Sequence, residues 1–180
     1  DTLPKFIDPA HAEAFVRKLL QESSPGVAEI RRIVELVDFY NLRGLAPDFA
    51  SRLNREERNE KEYLLSLSLA EALAYVGDDV RRAMGRSYFH YLLNHRWAKK
   101  HMNALVECYA AFAQEDRGVG IDSRMEEIIA ELKERSESDP MAGVEMRKFQ
   151  DVRNNTLPRI AKAAEYRKEI SKIATTSARL

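Results

Sequence analysis

The stretch that decides the fold runs from residue 63 to residue 112 and reads YLLSLSLAEALAYVGDDVRRAMGRSYFHYLLNHRWAKKHMNALVECYAAF. Its leucines cover most of the circumference of a helix, and a helix that is apolar nearly all round is a buried one. Leu65–Leu69 also alternates with period two, as a strand would. Strong helix formers follow at once, however, and no partner strand is evident. We therefore predict a buried helix here, around which the rest of the chain packs.

Two more helices are predicted inside this stretch. Gly77 ends the first helix, and Asp78 begins the next with a carboxylate where the helix dipole favours one. The apolar pattern changes phase near Asn94–Arg96, which favours two helices with a tight connection. The predicted buried stripes are Val80, Ala83, Met84, Ser87, Tyr88, Tyr91 and Leu92, and then Ala98, Met102, Leu105, Val106, Tyr109, Phe112 and Ala113.

On the N-terminal side, Asp8 followed by a proline predicts a helix start, because the carboxylate caps the helix and proline suits its first position. Residues 23–26 (SSPG) end that helix. A second helix is expected to end at 41–47, with Gly44 as the breaker, before a short helix at 48–53. The charge run at 54–62 (NREERNEKE) is interpreted as a solvated surface rather than a binding tail.

On the C-terminal side, residues 116–120 (DRGVG) predict the clearest loop. We expect a core helical domain at 1–115 and peripheral helices at 116–180, packed on the same domain. Ser123 with Glu126 resembles a capping box, and Asp139 before a proline predicts another start, for a helix to about Arg153. Asn155 or Thr156 is then expected to cap the last helix.

Charge changes sign along this region. Residues 116–145 carry nine acidic and four basic side chains, and residues 146–180 carry three acidic and nine basic ones. We expect an acidic and a basic helix lying side by side. The basic residues of the last helix, Arg159, Lys162, Arg167, Lys168 and Lys172, would extend a basic patch on the core if that helix folded back.

These patterns predict an all-α fold, either a multi-helical orthogonal bundle or a short α-solenoid of about seven or eight helices. Residues 30–34 and 80–84 can be aligned, with Phe39 opposite Phe89. The segment Asp79–Ala83 resembles the second helix of a HEAT-type repeat. No third copy is found near Ala130, and such a likeness identifies no partner.

Composition sets wider limits. The 180 residues carry 29 basic and 29 acidic side chains, so no global charge favours nucleic acid or membrane. No apolar run is long enough to cross a bilayer. The single cysteine indicates a reducing compartment, the cytoplasm or, in a eukaryote, the nucleus. Because the chain begins at Asp1 rather than Met, we interpret it as a fragment or a processed form, which is compatible with a removed signal peptide.

Three groups of residues are candidates for chemistry or binding. A basic surface for nucleic acid or other anions is predicted from Arg81, Arg82, Arg86, Arg96, Lys99 and Lys100. A pocket between helices is predicted from Glu71, His90 and Tyr91. For Glu71 we favour a salt bridge to Arg82, Arg86 or another basic side chain.

No metal site or cofactor is expected. The spacings between His90, His95 and His101 do not place two ligands on one helical face. Cys108 lies near a predicted apolar face and is interpreted as an inert buried thiol rather than a nucleophile.

The leading functional hypothesis is a non-catalytic helical interaction or scaffold module, with another protein as its partner and a place in a larger protein or assembly. It rests on the missing catalytic motifs and on the thin apolar seams of the last helices. Nucleic-acid binding through the basic surface is the first alternative. A small-molecule enzyme with a site between the central helices is the second, and the sequence does not predict the oligomeric state.

Overall fold

The structure is a computed structural model that describes residues 8–22, 27–53, 55–76 and 78–178. Within these ranges the protein is all-α and contains no strand, so the predicted fold class is confirmed. The chain divides between Trp97 and Ala98 into two compact units. The boundary predicted at residue 115 lies inside the second unit, and the 63–112 stretch contributes to both. The helix ends predicted at 23–26 and at Gly77 lie outside the described residues.

The described residues of the first unit form five α-helices and a 3₁₀ turn. They are α1 (Pro9–Glu22), α2 (Val27–Tyr40), the turn at Arg43–Leu45, α3 (Ala46–Ser51), α4 (Glu60–Val76) and α5 (Asp79–Leu93). The central helix is α4, which packs against α2, α3 and α5. It buries residues on all sides, among them Tyr63, Leu67, Leu69, Ala70 and Leu73. The prediction of a buried helix at this position is therefore confirmed.

The predicted helix starts in this unit are also correct. The Asp8 carboxylate accepts a hydrogen bond of 2.9 Å from the backbone N–H of His11. Asp78 does the same for Arg81, also at 2.9 Å. At the end of α2, however, it is Asn41 that adopts the left-handed conformation, with φ of 51°. Asparagine tolerates this conformation better than most residues, so it ends α2 before Gly44 is reached.

The buried face of α5 differs from the predicted stripe. Val80 and Met84 are exposed, whereas the helix buries Gly85, Tyr88, Phe89, Leu92 and Leu93. A Cβ on Gly85 would lie 2.9 Å from the carbonyl oxygen of Ala70 in α4. Because glycine has no side chain, α5 can approach α4 closely at Gly85. The contact face of α5 is therefore centred on a glycine, which a search for periodic apolar side chains leaves out.

The two aligned segments are not equivalent in the structure. Phe39 is 75% exposed on α2, whereas Phe89 is fully buried on α5. A repeat buries corresponding residues in corresponding places. The alignment of these two segments therefore does not reflect a repeated packing unit.

In the second unit, residues 98–178 are described and also form five α-helices: α6 (Met102–Tyr109), α7 (Ala113–Asp116), α8 (Val119–Arg135), α9 (Pro140–Asp151) and α10 (Leu157–Ala178). The packed pairs in this unit are α8 with α9 and α10 with α7. Every residue of the second predicted stripe, from Ala98 to Ala113, is buried. α9 begins as predicted, with the Asp139 carboxylate accepting a hydrogen bond from the backbone N–H of Met141.

The predicted loop at 116–120 is shorter than expected. It consists of Arg117 and Gly118, which both have positive φ, 52° and 88°. α8 begins directly afterwards at Val119, so Ser123 lies inside the helix and its hydroxyl donates to the carbonyl of Val119. Two left-handed residues reverse the chain in less length than the sequence pattern indicated, and the capping box is not formed.

The predicted break near residue 155 is wrong as well. α9 continues through a π-helical segment, Val152–Thr156, directly into α10. Arg153 in this segment donates to both carboxylate oxygens of Asp122 in α8, at 2.9 and 3.3 Å. The wider helical turn holds an extra residue without interrupting the helix, so no cap is needed.

Candidate interaction surface

The last helix, α10, has a packed half and an exposed half. In its first half Leu157 and Ala164 are buried, and α10 packs against α7. Every residue from 165 to 178 is exposed. Among the residues that the structure describes, the predicted pairing of an acidic with a basic segment is formed before α10, where Arg153 binds Asp122 and lies 3.6 Å from Glu126 of α8.

The exposed half carries three large apolar side chains on one face. Tyr166 is 55% exposed, Ile170 65% and Ile173 66%. Successive residues of an α-helix are rotated by about 100°, so these three side chains lie within about 60° of one another. We call them the α10 stripe. Their spacing is i, i+4 and i+7.

The α10 stripe does not continue the face by which α10 packs in its own unit. By the same helical rotation, Leu157 and Ala164 lie about 160° from the centre of the stripe. The residues that continue their face further along the helix are polar: Lys168, Ser171 and Thr175. The face by which the first half of α10 packs is thus polar in the exposed second half. The apolar face of the second half lies on the opposite side of the helix.

Basic side chains border the α10 stripe. The ammonium group of Lys162 lies 5.9 Å from the ring centroid of Tyr166. Arg167 follows on the opposite edge, and Glu169 lies beside Lys162 by helical position. An apolar face whose borders are mostly basic complements a groove with an apolar floor and mainly acidic borders.

The predicted basic surface is divided between the two units. Four of its residues, Arg81, Arg82, Arg86 and Arg96, belong to the first unit, and Lys99 and Lys100 to the second. Several have partners nearby. Arg81 forms an ion pair of 2.5 Å with Asp78, the Arg96 guanidinium lies 4.3 Å from the Trp97 ring centroid, and Lys99 lies 3.5 Å from Glu131.

Glu71 and Tyr91, which the sequence places in one predicted pocket, have different partners in the structure. Burial raises the pKa of Glu71 to about 7, while the charge of Arg31 in α2 lowers it and that of Asp38 raises it. The basic residue that acts on Glu71 is therefore Arg31. Tyr91 instead donates to Glu57, at 2.8 Å. His90 follows Phe89 on α5, with its ring centroid 6.0 Å from that of its neighbour.

Glu57 is a residue that the sequence analysis missed. It lies in the charge run that was interpreted as solvated, yet it is only 9% exposed. Its carboxylate accepts hydrogen bonds from the hydroxyls of Ser66, Tyr88 and Tyr91. Burial would raise the pKa of Glu57, but these hydrogen bonds together hold it below the ordinary value. A signal was present in the polar Ser66 on an apolar helix.

The Glu57 network fixes a connecting segment to the helices. The backbone N–H of Arg55 donates to the Tyr88 hydroxyl at 2.6 Å, and the carbonyl oxygen of Arg55 lies 3.2 Å from the Tyr91 hydroxyl, which donates its one proton to Glu57. The Arg55 guanidinium lies 5.4 Å from the Tyr91 ring centroid. Both hydroxyls and the carboxylate are thus used in holding the segment between α3 and α4, which is a structural role.

His95 and Cys108 both have structural surroundings. The His95 ring is stacked on Trp97, with centroids 4.9 Å apart, and burial lowers the pKa of this histidine. Cys108 is buried in α6. In the described part of the chain, no three His, Cys, Asp or Glu side chains are grouped so that they could hold a metal ion. None of the helices in that part is long and apolar enough to span a membrane.

Comparison with known proteins gives no further assignment: no family model, no curated protein and no solved structure matches this chain.

Proposed function

We propose that this chain is a non-catalytic helical interaction module that docks the exposed half of α10 into a groove of another protein. The observation that carries the proposal is the α10 stripe, an apolar face that its own unit leaves open. Large apolar side chains spaced i, i+4 and i+7 are the usual anchors of helices that bind in grooves. The groove would have an apolar floor, for Tyr166, Ile170 and Ile173.

The charges of α10 indicate the borders of that groove. From Leu157 to Ala178 the helix carries five basic and two acidic side chains. Because Lys162 and Arg167 border the stripe, a partner with carboxylates along its groove would bind faster and more specifically than a neutral one.

Two other binding partners for the exposed half of α10, a second copy of the chain and a membrane surface, fit these features less well. In a parallel pair of two copies, Lys162 of one helix would face Arg167 of the other across the seam, and like charges there disfavour pairing. A helix lying on a membrane surface usually has a larger apolar face, whereas this one offers three large side chains. A partner protein is therefore the occupant that we propose.

The test is site-specific photocrosslinking followed by reconstitution. A photoreactive residue is placed at Ile170 in one sample and at Lys168, on the other side of α10, in a matched control. The crosslinked protein is identified and purified, and its Kd is measured for the unmodified chain and for the double variant Ile170→Glu, Ile173→Glu. Both positions are exposed, so the variant should keep its helical circular dichroism.

We expect a crosslink from residue 170 and none from residue 168. The double variant should bind the partner at least about thirtyfold more weakly, because anchor residues of this kind contribute about 2 kcal/mol or more. Binding that the double variant retains would contradict the proposal. So would crosslinks formed equally from residue 168, crosslinks between two copies of the chain, or crosslinks to lipid alone.

A further inference from the structure

The second unit contains a groove that the proposed interaction does not use. It lies between the start of α6 and the end of α9 and has a volume of about 270 Å³. Its lining residues are Lys99, Lys100, Met102, Asn103, Glu145, Lys148, Phe149 and Val152. This volume lies just below the roughly 300–1,000 Å³ of ordinary ligand pockets, so the groove suits only a small molecule.

The lining of the groove is predominantly cationic. Three lysines face a single carboxylate, that of Glu145. Lys99 has a partner outside the lining, since its ammonium group lies 3.5 Å from a carboxylate oxygen of Glu131. Among the residues that the structure describes, Lys148 forms no ion pair. Like charges gathered around one concave site focus a positive potential there, and an anion relieves their repulsion.

The remaining lining is suited to a ring. Met102 is buried, and Phe149 and Val152 are half-buried, so together they give the groove an apolar wall. A flat ring gains from stacking on an aromatic side chain such as that of Phe149. The ligand that this groove fits is therefore an anion attached to a ring, not a bare ion.

Two features of the backbone favour the same position. Met102 and Asn103 are the first residues of α6, and no side chain caps this helix, so the positive end of its dipole adds to the lysine charges. Val152 begins the π-helical segment. Short π-helical segments within α-helices occur frequently at functional sites.

We propose that this groove binds a small phosphorylated molecule with a ring, of the nucleoside monophosphate class. Lys99, Lys100 and Lys148 would hold the phosphate, and Phe149 would contact the ring. Asn103 has amide donors and an acceptor that could bond to the polar atoms of the ligand. The small volume of the groove favours a mononucleotide over a nucleic-acid strand, which would need a longer basic track.

Titrations at low salt, followed by NMR chemical shifts, test this inference with four compounds: AMP, ribose 5-phosphate, inorganic phosphate and adenosine. We expect AMP to bind most tightly, because only AMP offers both the phosphate and the base. The variant Lys148→Gln should weaken AMP binding about three- to fivefold, as expected for one exposed charge pair. The matched control Lys133→Gln, on an exposed lysine of α8, should leave AMP binding unchanged.

A second variant separates the wall from the charges. Phe149→Leu keeps the apolar wall but removes the aromatic face, so AMP affinity should fall to that of ribose 5-phosphate. Adenosine binding as tightly as AMP would overturn the proposal, as would equal effects of the substitutions at residues 148 and 133. No shift at the groove with millimolar AMP would also refute it, as would a single-stranded oligonucleotide that binds where AMP does not. None of these results depends on the α10 stripe.

Discussion

Replacing Gly85 by alanine tests the close contact that sets the packing of α5 on α4. The new Cβ would lie 2.9 Å from the carbonyl oxygen of Ala70 and 3.0 Å from the Cβ of Leu73. Neither neighbour is the flexible end of a side chain, so neither can turn away. The two helices would have to separate by a few tenths of an ångström, and because interiors are close-packed, this loosens contacts along the whole seam.

The magnitude follows from two opposing terms. Overpacking costs about 1–3 kcal/mol, and the upper part of this range, about 2–3 kcal/mol, applies here because neither neighbour can move aside. Alanine is the better helix former by about 1 kcal/mol, which offsets part of that cost. The expected net effect is a loss of about 1–2 kcal/mol in the free energy of unfolding, which lowers Tm by about 4–16 °C for a unit of this size.

Gly143 provides the matched control. It also lies inside a helix, α9, but the nearest atom to its added Cβ is the Cβ of Ser136 at 3.7 Å, an ordinary contact. Gly143→Ala is therefore expected to stabilise the protein by up to about 1 kcal/mol. The two identical substitutions should thus have opposite signs.

The assay is urea denaturation. Fluorescence of Trp97, the only tryptophan, reports on the first unit, and circular dichroism reports on the helices of both. A Gly85→Ala variant as stable as the unmodified chain, or stabilised like Gly143→Ala, would refute the argument that α4 and α5 are held together by this contact.

Two further predictions concern buried polar groups. Burial raises the pKa of Glu71 from 4.5 to about 7, so between these pH values the folded protein binds more protons than the unfolded chain, and its stability should fall as pH rises, by up to about 3 kcal/mol. The free energy of unfolding is measured by urea denaturation at pH 5 and pH 8. The Glu71→Gln variant should not lose stability between these two pH values, and an equal loss in the variant and in the unmodified chain would contradict the prediction. Tyr91→Phe, which removes the hydrogen bond to Glu57, should cost about 1 kcal/mol in the same assay. Tyr166→Phe, on the exposed α10 stripe, should cost nothing, and equal effects at the two tyrosines would be incompatible with the Glu57 network.

The sequence predicted the parts of the fold that depend on local patterns. The caps at Asp8, Asp78 and Asp139 are used as expected, because capping depends only on residues a few positions apart. The stripe from Ala98 to Ala113 is buried throughout, because its apolar residues recur at helical spacing.

The parts that failed depend on contacts distant in sequence. Gly85 lies on a buried face because α5 comes close to the carbonyl oxygen of Ala70 in α4. The spacing of apolar residues along the sequence does not indicate this contact. Glu57 is buried because two tyrosines more than thirty positions away donate to it. A charged residue in a charged run is usually solvated, so the pattern favoured the wrong environment.

In the candidate sites too, local sequence patterns predicted some residues, and contacts distant in sequence determine the others. The sequence analysis identified Lys99 and Lys100, but Lys148 and Phe149 join them only because the second unit folds α9 towards the start of α6. The α10 residues Ile170 and Ile173 were assigned to a thin apolar seam. Their exposure depends on where α10 stops packing on α7, and the sequence pattern does not show that position.

The π-helical segment Val152–Thr156 absorbs one residue between α9 and α10 without turning the helix that follows it. Its residues complete about the same rotation as an α-helical segment one residue shorter, because the π-helical turn is wider. Removing one residue from this segment would therefore restore ordinary helical winding and leave the side chains at 166, 170 and 173 pointing in nearly the same direction. The gene can thus lose one codon between α9 and α10 while the last helix presents the same face to a partner.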